Sequence, residues 1–375
     1  MAHWFRRLLP NLALLLVSVL FSLGAGEVYL RYFDPRPLEA AYVWPDGTLR
    51  HLPSFSYTYS RSEFSNRVTY NSLGLRGPEI GPGGKHDTRV LFLGDSFVEG
   101  KQVGEDEVLT AVLSEAGRRA GLALEVINAG VSGHGTAEEL LLWESIGRDL
   151  EPDVVILGFY PNDVRNNADR GTFVLAGGLP IRAGEPRLPK VRWIYDVRKY
   201  LSSHSHLYIL IQETTDELER RGGMSDGAGA PLESEDVFAR APSPEVRDGW
   251  SLTLALLGKL REEVEAGGAR FVVAVLPTRF QVDDDLWREH AVSSGLEASD
   301  YDLRVPQRRI GEWSERTGTA VIDLLESFRA RNVGNSFYFS LDAHWNPAGH
   351  RLAAESLLEE MIAKDLLRSG PPAEP

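Results

Sequence analysis

The decapeptide LFLGDSFVEG, Leu91 to Gly100, decides how this chain is read. Its apolar run stops at Gly94-Asp95, a serine follows, and a helix-like pattern begins soon after. A run that is continuously apolar, rather than alternating, marks a strand covered on both faces, as in a parallel sheet. The same signature recurs outward from this point. Leu124–Ile127 (LEVI), Asp153–Phe159 (DVVILGF) and Arg270–Leu276 (RFVVAVL) are β-branched apolar runs bounded by Gly, Pro, Asn or Asp, and Ala320–Leu324 (AVIDL) gives a fifth. Between them, helical spacing is expected over Asp106–Ala120, Thr136–Leu150, Ser243–Ala266 and Pro347–Leu367, the last with Asn346 as N-cap and Pro347 in its first turn. Strand–helix alternation of this kind predicts an α/β domain with helices on both faces of the sheet.

Composition limits what such a domain does. The 375 residues are 43% apolar and 25% charged, enough for a large core. A formal charge of −14 argues against nucleic acid, whose phosphates call for a basic face. The chain has no cysteine, which excludes disulfides, thiolate metal sites and cysteine nucleophiles. Near the N-terminus, Arg6 and Arg7 precede a stretch without charge from Leu8 to Gly26, and Val28-Tyr29-Leu30 and Tyr32-Phe33 extend its apolar and aromatic character. A stretch of about 20 apolar residues crosses a bilayer, and basic residues before it hold that end in the cytoplasm. The expectation is a transmembrane signal-anchor over residues 8–30 after a cytoplasmic stretch 1–7, with the rest on the exoplasmic side. Gly24-Ala25-Gly26 leaves open a cleaved signal peptide, which would make the protein secreted. Residues 34–87, rich in Pro, Gly, Tyr and Ser, read as a spacer of turns and short strands. Residues 164–242 interrupt the α/β rhythm with an apparent hairpin (TFVLAGGLPIRAG), an amphipathic segment from Val191 to Arg221 and the loose run GGMSDGAGAPLESED. An insertion of this kind shapes a binding site or meets a partner or membrane. Residues 368–375 read as a disordered tail.

Four separated pieces carry the chemistry. Ser96 in Gly94-Asp95-Ser96-Phe97 lies just past the first strand, the edge where ligand sites of open α/β sheets gather. Asn128-Ala129-Gly130-Val131-Ser132-Gly133-His134-Gly135 follows the second strand, where glycines let backbone N–H groups approach a ligand. Tyr160-Pro161-Asn162-Asp163 follows the third, and an asparagine there can aim its side-chain amide at a developing oxyanion. Asp342-Ala343-His344-Trp345-Asn346 precedes the last helix; in an extended segment, residues i and i+2 point to one side, so Asp342 can orient His344 as a general base. Each piece alone is equally a turn, and Asp342 with His344 is also a conceivable metal pair. Together they supply a nucleophile, a base and three oxyanion donors: the Ser96 N–H, the Gly133 N–H and the Asn162 amide. A G-x-S-x-G elbow is absent, since position 98 is valine.

Ser96 in GDSF, Gly133 in NAGVSGHG, Asn162 in FYPND and His344 in DAHWN resemble, in order, the four blocks of the SGNH (GDSL-type) hydrolase family. Asn71-Ser72-Leu73-Gly74-Leu75-Arg76-Gly77 is similar to a segment that precedes the serine block in exported, membrane-anchored members. The Asp-x-His-Trp spacing, in place of the family's usual Asp-x-x-His, is similar to alginate O-acetyltransferase-like members, and His134 stands where many members have Asp. The resemblance implies a three-layer α/β/α sandwich with a mostly parallel, flavodoxin-like sheet over residues 88–367. It implies a serine esterase with Ser96, His344 and Asp342 as catalytic residues and no metal or organic cofactor. Its substrates would be acylated small molecules, lipids or carbohydrates, with O-acyltransfer to an exported polysaccharide, or a non-catalytic role in polysaccharide assembly, as alternatives.

Overall fold

The computed structural model describes residues 2–36, 38, 41–43, 48–81, 88–183, 192–221 and 235–367. The run 222–234 that holds most of the loose GGMSDGAGAPLESED stretch lies outside the described residues, as does the tail 368–375. Five strands form the central sheet: β1 (Thr88–Gly94), β2 (Leu124–Gly130), β3 (Val154–Phe159), β4 (Arg270–Val275) and β5 (Ala320–Asp323). Their spatial order is β2-β1-β3-β4-β5, and every neighbouring pair is parallel. This is the flavodoxin-like order, and the order of the strands reverses between β1 and β3, the topological switch point.

Side chains alternate between two cores. Leu91, Leu93, Val155, Leu157 and Val273 face one side, where they join Leu140, Trp250, Leu256 and Ile310. Val90, Phe92, Ile156 and Val272 face the other, with Leu113, Phe328, Leu357 and Met361. The continuous apolar runs are thus explained for β1, β3 and β4, which are sandwiched with both faces buried, whereas the edge strands β2 and β5 are only partly covered. The helices of the first face are α3 (Thr136–Leu142), α7 (Pro244–Ala266) and α9 (Val305–Thr317). Those of the second are α2 (Leu109–Arg119), α10 (Leu325–Arg331) and α11 (Pro347–Ala363). Also present are α1 (Ala2–Phe33), α4 (Asp163–Arg170), α5 (Arg192–His204), α6 (His206–Arg221) and α8 (Asp284–Ser293). Phe173–Ala176 and Leu179–Arg182 form the expected hairpin.

Several boundaries differ from the sequence reading for local reasons. β2 runs on through Asn128-Ala129-Gly130, because Gly130 still pairs with Gly94. The helix expected from Asp106 starts at Leu109, whose N–H is taken by His350 Nδ1 at 3.2 Å. The one expected over Thr136–Leu150 is α-helical only to Leu142, then passes through a π turn (Trp143–Gly147) and a 3-10 turn (Arg148–Leu150). The last helix ends at Ala363 rather than Leu367.

The chain divides into two compact units. The larger, residues 41–56, 61–188 and 229–375, contains the sheet. The smaller, residues 1–40, 57–60 and 189–228, contains α1, α5 and α6. Within α1, Ala13–Phe33 is long and apolar enough to cross a membrane.

Candidate active site

Three glycines in register make room for the serine. Gly94 of β1 pairs with Gly130 of β2 and Gly158 of β3. A Cβ on Gly94 would meet the Val98 side chain at 2.3 Å, one on Gly158 would meet it at 2.8 Å, and one on Gly130 would meet the Glu99 backbone N at 2.3 Å. The single turn Ser96–Glu99 therefore lies directly over the sheet ends. Asp95 caps that turn, its Oδ1 accepting from Phe97 N–H at 2.9 Å. Ser96 is then presented at the end of β1, beside the switch point.

His344 reaches Ser96 from the segment before α11. Its Nε2 lies 2.8 Å from Ser96 Oγ, and its Nδ1 lies 2.5 Å from Asp342 Oδ1. Burial raises the Asp342 pKa, but hydrogen bonds from His344 and Gln102 and the attraction of His344 outweigh it and hold the carboxyl below its ordinary value. An ionised Asp342 only accepts, so Nδ1 carries the proton and Nε2 is free to accept from the Ser96 hydroxyl. The extended geometry expected between Asp342 and His344 does not occur. Ala343 instead adopts the left-handed region (φ 68°) in a turn closed by Phe339 N–H to His344 O at 2.8 Å. The two side chains meet because the backbone reverses there. Phe97 supports the ring of His344 at 4.9 Å between centroids, and stacks on Tyr160 at 4.1 Å. Trp345, fully buried, packs edge-on against Phe97 at 5.2 Å and stacks on Phe328.

Asn162, between β3 and α4, reaches the residue before the serine, its Nδ2 donating to Asp95 Oδ2 at 3.3 Å. One amide hydrogen is used in this way and a second remains. Gly133 takes a left-handed conformation (φ 81°), with Arg170 Nη2 3.3 Å from where its Cβ would be. His134 points away from this face. Buried, it donates from Nε2 to Leu49 O at 2.8 Å, and burial drives its pKa down to about 3.

Several residues of the site escaped the sequence reading. Glu99, the last residue of the serine turn, is fully buried. Its carboxylate accepts from Ser132 N–H at 2.6 Å, Ser132 Oγ at 2.5 Å and Tyr70 OH at 2.6 Å, and His51 Nε2 lies 3.0 Å away. Burial raises the Glu99 pKa, yet the charges of Lys101 and His51 and the hydrogen bonds of His51 and Ser132 hold it well below the ordinary value. Glu99 thus ties the Ser96 turn to the residue before Gly133. Glu63 does the same for the acid-base loop: its carboxylate accepts from the backbone N–H of Ser340, Leu341 and Asp342 at 2.7, 2.9 and 2.9 Å. Arg76, buried, donates to the carbonyls of Glu99 and Val103. The turn-rich stretch 34–87 is therefore more than a spacer, since Glu63, Tyr70 and Arg76 brace the site. The glutamate inside the quoted LFLGDSFVEG was a visible signal, an acid in an apolar run; Glu63 carried none, lying 277 residues from its partner at Ser340.

Below the serine turn lies a set of buried acids. Burial raises the Asp95 pKa to about 6, with repulsion from Glu99, against hydrogen bonds from Phe97 and Asn162 and attraction to His344. Burial and mutual repulsion push Glu139 and Asp163 well above ordinary carboxylate values.

The sheet order and this series of contacts define a class: a flavodoxin-like α/β/α domain with a hydrogen-bonded Ser96–His344–Asp342 series at its strand ends. Residues 237–374 match the family model described as SGNH hydrolase-like domain, acetyltransferase AlgX. That match spans under half of the chain, including Asp342 and His344, and agrees with the resemblance read from the four motifs. Among solved structures, the chain is similar to TesA (13% identity, covering 74% of this chain and 99% of that one, TM-score 0.40). It is likewise similar to the acetyl xylan esterase AlAXEase (15%, 72% and 98%, TM-score 0.41). A third is Axe2, an acetylxylan esterase from Geobacillus stearothermophilus (15%, 76% and 96%, TM-score 0.39). No curated protein matches the sequence.

Proposed function

We propose that the protein is a serine esterase of SGNH type that acts on ester-linked acyl groups, O-acetyl groups among them. The observation that carries this reading is the unbroken series from Ser96 Oγ through the His344 ring to Asp342 at the switch point of the sheet. Ser96 Oγ attacks the ester carbonyl carbon while its proton passes to His344 Nε2, and Asp342 stabilises the imidazolium. The oxyanion accepts from the Ser96 and Gly133 N–H groups and the second Asn162 amide hydrogen. Collapse expels the alcohol, which takes the proton from His344. Water, activated by the same ring, then releases the acid and restores Ser96.

A second reading has a specific support. The matched family model is described as that of an acetyltransferase, and the Asp342-Ala343-His344-Trp345 spacing is that of such members. In that case a sugar hydroxyl replaces water in the second step, and every residue keeps its role. The N-terminal span anchors the protein in a membrane, with Arg6 and Arg7 inside and the site on the exoplasmic face. The test is hydrolysis of a short-chain aryl ester by the wild type and by Ser96→Ala. Loss in the variant is expected; equal rates in the two would overturn the reading. Acetyl transfer to a glycan by the wild type, without hydrolysis, selects the transferase.

A further inference from the structure

We propose that the elbow between α5 and α6 is a membrane-surface element, clamped at the lipid interface by Glu27 and Arg31 of α1. The proposal rests on the reading of α1 as a membrane anchor.

The clamp is read from both helix ends at the elbow. Glu27 accepts from Ser205 Oγ at 2.8 Å, His206 N–H at 3.1 Å and Leu207 N–H at 2.9 Å. These backbone groups belong to the first turn of α6, which has no intrahelical acceptors for them. Arg31 Nη2 donates to His204 O at 2.7 Å, at the last residue of α5, and pairs with Glu27 at 3.1 Å. Each charge suits the helix end it meets, the acid at an N-terminus and the base at a C-terminus. Glu27 and Arg31 are one turn apart on α1, so a single helix face holds both. Leu30, between them, is buried, as is Ile209 on α6.

Depth follows from length. The uncharged run Leu8–Gly26 spans about 28 Å as a helix, close to the roughly 30 Å of a hydrocarbon core. Glu27 then sits near the far end of the span, in the last two turns of the apolar stretch Ala13–Phe33. Tyr29, Tyr32 and Phe33, all exposed, fall where aromatic side chains border a bilayer. An ion pair at that depth is costly unless partnered, and here the elbow partners it. Whatever Glu27 holds shares its depth. The elbow exposes Val197 and Tyr200, one turn apart on α5, and Ile211 on α6. Apolar side chains on helices tied to the boundary of a membrane span meet the headgroup and upper acyl region.

The absence of cysteine in the chain makes each single-cysteine variant a unique label site. The full chain is reconstituted in phosphatidylethanolamine/phosphatidylglycerol vesicles and spin-labelled at V17C, Y200C, I211C or V292C. Collision with oxygen, which partitions into lipid, is compared with collision with a water-soluble nickel chelate. Positions 17, 200 and 211 are expected to favour oxygen, and position 292, on the sheet-containing unit, to favour nickel. Labels at 200 and 211 as nickel-accessible as 292, with 17 still in lipid, would overturn the proposal and leave the anchor standing. Position 17 in water would overturn the anchor reading itself. Labels at 200 and 211 shielded from both reagents would mean a protein partner or second copy, which also overturns it. Adding E27Q with R31Q to the labelled chains is expected to abolish oxygen preference at 200 and 211 but not at 17; its persistence would remove the clamp.

Discussion

Asp342 and His344 meet here across Ala343, which takes a left-handed backbone conformation that β-branched side chains resist. The carboxylate then has three jobs in reach: to orient the imidazole, to fix its tautomer and to stabilise its charge. Asp342→Asn keeps the shape and removes the charge. It is expected to lower kcat by orders of magnitude with KM little changed, by steady-state assay; a change confined to KM would contradict the role. Asn162→Ala removes one of the three oxyanion donors proposed above, for which a loss of about 10²–10³ in kcat is expected. Glu63→Gln weakens the three N–H contacts that hold Ser340 to Asp342. Its expected signature is a lower kcat with a thermal midpoint near that of the wild type, since Glu63 is only part-buried at the surface of the loop. A fall in thermal midpoint with kcat intact would make Glu63 structural instead.

At the scale of elements, the serine turn is set by how closely it approaches three strand ends. The row Gly94, Gly130 and Gly158 is a packing requirement, and only at Gly130 would an added Cβ strike backbone, at Glu99 N. A buried side-chain methyl can give through small shifts of its neighbours; the Glu99 backbone N, held by its hydrogen bond to Asp95 O, gives less. Gly130→Ala is therefore expected to cost about 1–3 kcal/mol, as overpacked sites do, and to displace Ser96, lowering kcat as well as the midpoint of denaturant unfolding. Gly158→Ala meets the Val98 side chain at its Cγ2 and is expected to cost less. The opposite ranking of the two variants would show that the turn, not the side chain, is the soft partner.

For the whole molecule, the buried acids couple stability to pH in two opposing ways. Asp95, Glu139 and Asp163 have folded pKa values above their unfolded ones. Their contribution is fully present below the unfolded carboxylate range and is lost as pH rises, for Asp95 through about 6. Glu99 and Asp342 are shifted down, so theirs is present above that range and lost as pH falls. Asp163→Asn removes one member of the first set, its buried carboxyl oxygens having no hydrogen-bond partner among the described residues. Relative to wild type, the variant is expected to gain in thermal midpoint as pH is raised, measured from acid to neutral by calorimetry. A difference that is flat with pH would mean that Asp163 is not the titrating acid.

The sequence by itself determined the layers, the strand positions and the places of Ser96, Gly133, Asn162 and His344. Those depend on local pattern: sandwiched strands must be continuously apolar, and turn residues must end them. The contact between Asp342 and His344 was legible too, but its geometry was not, because nothing in a three-residue spacing announces a left-handed alanine. What only the tertiary structure decided is the support. Glu63 braces a loop 277 residues away, and Glu99 joins its own turn to Ser132 33 residues on. Arg76 holds the carbonyls of Glu99 and Val103. Such contacts leave no periodicity and no motif, since a hydrogen bond between distant segments constrains space and not spacing.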